Sequence, residues 1–150
     1  MNTKLYLPIK MIFFISFFIL VSCQKEKKHE DPNTCTLKKS SLAGTYVLTS
    51  VTYKATPTSP EQDFMFFMEP CEKDDLFTIN ANGTYTYSDI ATKCSPDGTE
   101  SGNWSLNGNT IISDGEIAGT IEKFDCKSLV LYDTDVDLPG DRITTTITRK

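Results

Sequence analysis

From Leu42 to Lys150 apolar residues recur at alternate positions in short runs, and the runs end in clusters of Gly, Asn, Asp and Pro. Period-two alternation of this length marks half-buried β-strands rather than helices. It predicts eight strands: Thr45–Tyr53, Asp75–Ile79, Thr84–Ser88, Asn103–Leu106, Thr110–Ser113, Ile117–Phe124, Ser128–Asp133 and Arg142–Arg149. The clearest unit lies between Cys71 and Cys94. Phe77 and Ile79 alternate on one arm, Tyr85 and Tyr87 on the other, and Ala81-Asn82-Gly83 joins them. Pairing Asn80 with Thr84 puts Gly83 at the left-handed position of the loop, which glycine adopts without a Cβ clash. That register sets Phe77 opposite Tyr87 and Ile79 opposite Tyr85 on one face of the hairpin, with Thr78 and Thr86 on the other. Asn107-Gly108 and Asp114-Gly115 are further tight-turn signals. No amphipathic helix interrupts the series, although Phe64, Met65, Phe66 and Phe67 predict a short packed helix or a lid within residues 54–70.

Eight short strands in succession predict an all-β fold, an up-and-down antiparallel barrel, with a β-sandwich as the alternative. A meander places its connections alternately at the two ends. The long ones (54–74, 89–102 and 134–141) fall at one end, the mouth, and the short turns after Ile79, Leu106 and Phe124 at the other. Only the turn at Asp114-Gly115 is short at the mouth. Long loops on one rim are where binding concentrates. The same sorting acts on the cysteines. Cys71 and Cys94 lie at the mouth, Cys35 and Cys126 at the closed end, so of the possible pairings topology selects Cys71–Cys94 and Cys35–Cys126. No CxxC motif or histidine accompanies them, which argues against a metal site.

The first 22 residues are of a different kind. Lys4 and Lys10 precede an apolar run, Met11 to Val21, and Leu20-Val21-Ser22-Cys23 comes at once after it. The order is that of a secretion signal, and the run is short for a membrane-spanning helix. Small and aliphatic residues ending in Cys resemble the lipobox of bacterial lipoproteins. By that resemblance Cys23 is the lipidated first residue of the mature chain, a membrane anchor, and an exported chain permits disulfides. Gln24 rather than Asp comes after it, which in such lipoproteins implies the outer membrane of the cell envelope. Residues 23–36 form a tether: Gln24 to Asp31 has no apolar residue and holds the sole histidine, His29. Residues 37–150 form the barrel domain. The signal removes two of the 15 basic residues and none of the 20 acidic ones, leaving 13 against 20 and a formal charge of −7. That argues against nucleic acid as a partner and against electrostatic adhesion to anionic lipid.

Leu42-Ala43-Gly44-Thr45-Tyr46, opening the first strand, resembles the Gly-x-Trp start of lipocalins, with Tyr in place of Trp. Cys71-Glu72-Lys73-Asp74-Asp75, the NGTYTY hairpin at 82–87 and Gly102-Asn103-Trp104-Ser105-Leu106 extend the likeness to the lipocalin-like domains of bacterial lipoproteins. The resemblance spans Leu42 to Lys150. It implies that a basic side chain late in the barrel, Arg149 or Lys150, covers Tyr46 at the closed end, a structural role worth on the order of 0.5–2 kcal/mol as a cation–π contact. Gly44 and Trp104 are structural by the same reading. The resemblance also implies a small hydrophobic or amphipathic ligand, with Phe64, Phe66, Phe67, Phe77, Tyr85 and Tyr87 as candidate contacts.

Catalytic signatures do not assemble. GxSxG, HExxH and a phosphate loop are missing from the sequence, and Asp74 and Asp75 at a strand start are better placed to accept backbone N–H groups. Asp133, Asp135, Asp137 and Asp141 have calcium-like spacing, but Leu138 stands where a calcium loop needs Gly, so the stretch reads as a solvated loop turning at Pro139-Gly140. No enzyme, cofactor or metal is expected. The competing functions are a barrel holding an apolar ligand and a filled barrel whose mouth loops bind another envelope or extracellular protein. An eight-stranded barrel does either, and the interior volume discriminates between them.

Overall fold

The computed structural model describes residues 35–150. Cys23, the signal segment and nearly all of the tether lie outside the described residues. In chain order the elements are α1 (Lys39–Leu42), β1 (Gly44–Lys54), β2 (Gln62–Asp63), α2 (Pro70–Lys73), β3 (Leu76–Ile79), β4 (Thr84–Ser88), β5 (Glu100–Asn107), β6 (Thr110–Ser113), β7 (Glu116–Phe124), β8 (Ser128–Thr134) and β9 (Arg142–Arg149). Strands β3 to β9 each pair antiparallel with the next. β1 pairs with β3 on one edge and with β9 on the other, from Tyr46↔Arg149 to Lys54↔Arg142. The result is a closed up-and-down barrel of eight strands, and the sandwich alternative is excluded. The two-residue β2 lies outside the cycle, beside the mouth end of β1 through Thr52↔Asp63 and Tyr53↔Gln62.

The central hairpin has the register read from its alternation, Phe77↔Tyr87 and Ile79↔Tyr85. Its loop closes through Asn80 N–H to the Thr84 carbonyl at 2.9 Å, with Gly83 at φ +94°. The register shifts at three places, one of them between Ile111 and Ile112 where β6 meets β7, and the other two re-aim core side chains. In β1 the register shifts between Leu48 and Ser50, so Leu48 and Val51, three apart, both face inward. In β7 it shifts between Ile121 and Lys123, so Ile121 is buried and Phe124 also packs on the core. A bulge adds one residue to one strand and re-aims the side chains beyond it; a period-two template does not register it.

The core of the barrel is built from Leu42, Tyr46, Ile79, Tyr85, Trp104, Ile111, Ile121, Leu129 and Ile147. The single helical turn α1 plugs the closed end with Leu42, which is fully buried. Tyr46 is also fully buried; its hydroxyl donates to the Leu42 carbonyl at 2.7 Å and accepts from Arg149 Nη2 at 3.0 Å. The same Arg149 nitrogen donates to the carbonyls of Ser41 and Ala43, and the guanidinium carbon lies 5.4 Å from the Tyr46 ring centre. Arg149, not Lys150, is thus the basic residue that covers the opening-strand aromatic. The hydroxyl explains what Tyr does in place of Trp: it relays between plug and closing strand. A Cβ on Gly44 would come within 2.7 Å of Arg149 Nε, so this glycine makes room for the guanidinium. Trp104 is buried, donating through its indole N–H to the Asn80 carbonyl at 2.9 Å.

The disulfides join Cys35 to Cys126 at the closed end and Cys71 to Cys94 at the mouth, the pairing selected by sorting the cysteines to the barrel ends. The 134–141 loop is exposed from Thr134 to Gly140, as its composition predicts, and departs from that only at its last residue. It is built on Asp141, whose fully buried carboxylate accepts from the backbone N–H groups of Val136, Asp137 and Leu138 and from the Tyr53 hydroxyl. Burial alone would raise this carboxyl; the three amides and the phenol outweigh it and hold it below its usual value. The spacing of the four aspartates predicts a solvated loop because it gives no sign that one of them turns inward.

Candidate ligand cavity

The mouth half of the barrel is hollow. Leu48 and Val51 from β1, Phe77 from β3, Tyr87 from β4, Leu131 from β8, and Ile143, Thr145 and Ile147 from β9 line a cavity of about 520 Å3. Phe64 and Met68 from the 54–70 connection and Glu72 and Asp75 at its end complete the lining. Ligand sites commonly measure about 300–1,000 Å3, with mostly apolar walls and a few placed polar groups, and the cavity meets both conditions. Phe77 separates it from a smaller hollow of about 150 Å3, lined by Ile79, Tyr85, Glu100, Trp104, Ile111, Ser113 and Ala118 as well as Phe77 itself.

The six aromatic candidates divide. Phe64, Phe77 and Tyr87 face the large cavity, and Tyr85 faces the small one while donating to Asp114 at 3.0 Å. Phe66 and Phe67 face neither; they are 82% and 68% exposed, packed edge-to-face on each other and, through Phe67, at a tilt against Phe64. The segment is a turn rather than a helix, closed by Phe67 N–H to the Phe64 carbonyl at 3.0 Å. It is pinned to the barrel by Phe64 N–H to the Val51 carbonyl at 2.8 Å and by the Phe64 ring against Tyr53. One turn brings one aromatic of the three inward, which a run of consecutive apolar residues does not disclose.

The polar groups cluster on one side. Helix α2 begins with Pro70 just after its N-cap, Glu69, and Glu72 Oε2 accepts from the Glu69 N–H at 2.7 Å. The cap and proline fix the single turn that carries Cys71 and Glu72 to the rim. Glu69-Pro70-x-Glu72 is the sequence signal for this helix, and a period-two template is blind to it. Asp75 is buried and accepts from Tyr87 Oη at 2.5 Å and from Ile90 N–H at 3.1 Å. Asp74 accepts from the Thr92 N–H. These carboxylates hold the 89–94 segment beneath the Cys71–Cys94 bridge. Burial first, then the bond to Asp75 and the charges of Asp75, Glu72 and Asp89 push the Tyr87 phenol well above its usual value, so it remains a donor.

A closed eight-stranded meander with a plugged end and an apolar cavity at the open end defines a class: a barrel that holds small molecules. The family model for the lipocalin-like domain matches residues 42–131, and the chain belongs to that family. Comparison with curated proteins returns no match. The family match ends at Leu131, so the part of β9 in closing the barrel, and of Arg149 in sealing it, is read from the structure.

Proposed function

We propose that this protein is a non-catalytic lipoprotein that carries a small hydrophobic or amphipathic ligand in the mouth cavity of its barrel. The observation that supports this reading is the open apolar volume of about 520 Å3 beneath Phe64 and Met68. A barrel filled by side chains would have favoured a role confined to protein contacts. In this reading Phe64, Phe77 and Tyr87 contact the ligand together with Val51, Leu131 and Ile143, while Phe66 and Phe67 do not. The neutral fluorescent probe N-phenyl-1-naphthylamine tests it. Thr145 lies on β9 opposite both Val51 and Leu131, and Thr145→Trp fills the centre of the cavity. Wild type enhances the probe's fluorescence saturably. Thr145→Trp weakens binding by about tenfold or more, roughly 1.4 kcal/mol, with its melting transition retained, whereas Phe66→Ser with Phe67→Ser binds as wild type does. Equal binding by wild type and Thr145→Trp would remove the cavity as the site.

The anchoring part of the proposal rests on the sequence. Cys23 carries lipid, residues 1–22 are removed, and residues 24–36 tether the domain to the envelope, at the outer membrane. The loops 54–74, 89–102 and 134–141 then face away from the bilayer. Cys23→Ser yields a protein that no longer incorporates lipid precursor and leaves the membrane fraction; retention with unchanged labelling would contradict the anchor.

A further inference from the structure

We infer that the ligand of this cavity is an amphipathic cation, an apolar body bearing an amine or quaternary ammonium head that sits beside Glu72 and Asp75. The inference rests on the cavity reading above and adds the charge of the head group. Among the residues lining the cavity, Glu72 and Asp75 carry charge, and there is no Lys, Arg or His. A second hollow of about 330 Å3 shares Glu72, Asp75 and Tyr87 with the cavity; Glu69, Cys94, Ser95, Pro96 and Gly98 complete its lining, again without a base. The two hollows therefore meet at a pair of carboxylates, with an apolar chamber on one side and a polar, acidic one on the other. An ammonium on an apolar chain matches that division.

The carboxylates retain capacity for a ligand. Glu72 uses Oε2 to cap its own helix, and Oε1 has no hydrogen bond among the described residues. Each oxygen of Asp75 accepts one hydrogen bond, leaving a lone pair apiece. Of the cations around the mouth, Lys54 is paired with Glu61, Arg142 with Glu122, and Lys93 with Asp97 and the Asp89 carbonyl, while Lys73 on α2 belongs to neither lining. Behind Tyr87, Asp89 is buried and adds a further negative charge. A fatty carboxylate entering the same chamber would meet these acids in a poorly solvated place, where like charges repel more strongly than in water. A neutral alcohol would meet no such penalty and gain no ion pair.

Three ligands with the same ten-carbon chain separate the possibilities: decyltrimethylammonium, decanol and decanoate. Each displaces N-phenyl-1-naphthylamine from the full-length protein below its micelle concentration. In wild type the cation displaces the probe at about a tenfold lower concentration than decanoate, with decanol between them. Glu72→Gln, which keeps an oxygen to cap α2, narrows that ratio severalfold, and Glu72→Lys inverts it. Melting curves establish that both variants fold. A wild-type preference for decanoate, or a ratio unmoved in both Glu72 variants, overturns the inference while leaving the cavity as a site. If the probe binds and none of the three displaces it, the cavity reading fails and the inference fails with it.

Discussion

Replacing Cys35 and Cys126 by serine lowers the stability of the domain by about 4–5 kcal/mol, against about 3 kcal/mol for the same change at Cys71 and Cys94. The difference comes from loop size. The first bridge spans 91 positions of sequence and the second 23, so the first withdraws more freedom from the unfolded chain. The bridges also differ in what they hold. Cys35–Cys126 fastens the segment leading into α1 to the turn between β7 and β8, so its loss loosens the plug at the closed end. Cys71–Cys94 fastens α2 to the loop after β4, beside Glu72 and the cavity, so its loss weakens ligand binding as well as stability. Denaturant titrations of the two double variants, followed by tryptophan fluorescence, check the order. A Cys35/Cys126 variant as resistant as wild type, or less affected than the Cys71/Cys94 variant, would contradict it.

Tyr46→Ala destabilises the domain by about 3–5 kcal/mol, the usual cost of emptying a large aromatic site in a core. Tyr46 is fully buried, and its hydroxyl stands between the Leu42 carbonyl and the Arg149 guanidinium. Tyr46→Phe separates the ring from that relay. It keeps the packing but removes a donor from one buried group and an acceptor from another, at a cost of about 1–3 kcal/mol. Arg149 keeps its bonds to the Ser41 and Ala43 carbonyls in both variants, so Arg149→Ala is at least as damaging as Tyr46→Phe. Tyr46 and Arg149 lie outside the cavity lining, and probe affinity in any variant that still folds stays near wild type. Thermal melts paired with probe titrations check both halves. If Tyr46→Phe melts with wild type, the hydroxyl relay is not what joins the plug to the closing strand.

How far the sequence discloses this molecule depends on the length scale of each feature. The hairpin from Leu76 to Ser88 is local, fixed by alternation and by one glycine with positive φ, and its register is legible residue by residue. Closure of the barrel comes from the count of strands and the rhythm of loop lengths, which also sorts the four bridged cysteines. The cavity is another matter. Phe77 and Tyr87 are recognisable as inward-facing, but Val51 joins Leu48 in the lining only through the bulge in β1, and a bulge has no period. Thr145 sits among the threonines of β9, where composition suggests a polar face, yet it lines the chamber centre. Phe66 and Phe67 look like the best ligand contacts in the chain and lie outside, because one tight turn gives inward room to Phe64 alone. Glu72 is hidden by the brevity of α2, a single turn that no amphipathic pattern marks. Asp141 looks like one acid among several until three backbone amides are found converging on it.

The central claim is that the mouth cavity holds a ligand in the protein as its host makes it. Native mass spectrometry of the domain, recovered from its own envelope without denaturation, addresses this directly. Wild type is expected to carry a discrete small-molecule adduct that collisional activation releases, and Thr145→Trp prepared alongside is expected to carry none. Bare protein mass for wild type, or the same adduct on Thr145→Trp at equal occupancy, would contradict the claim.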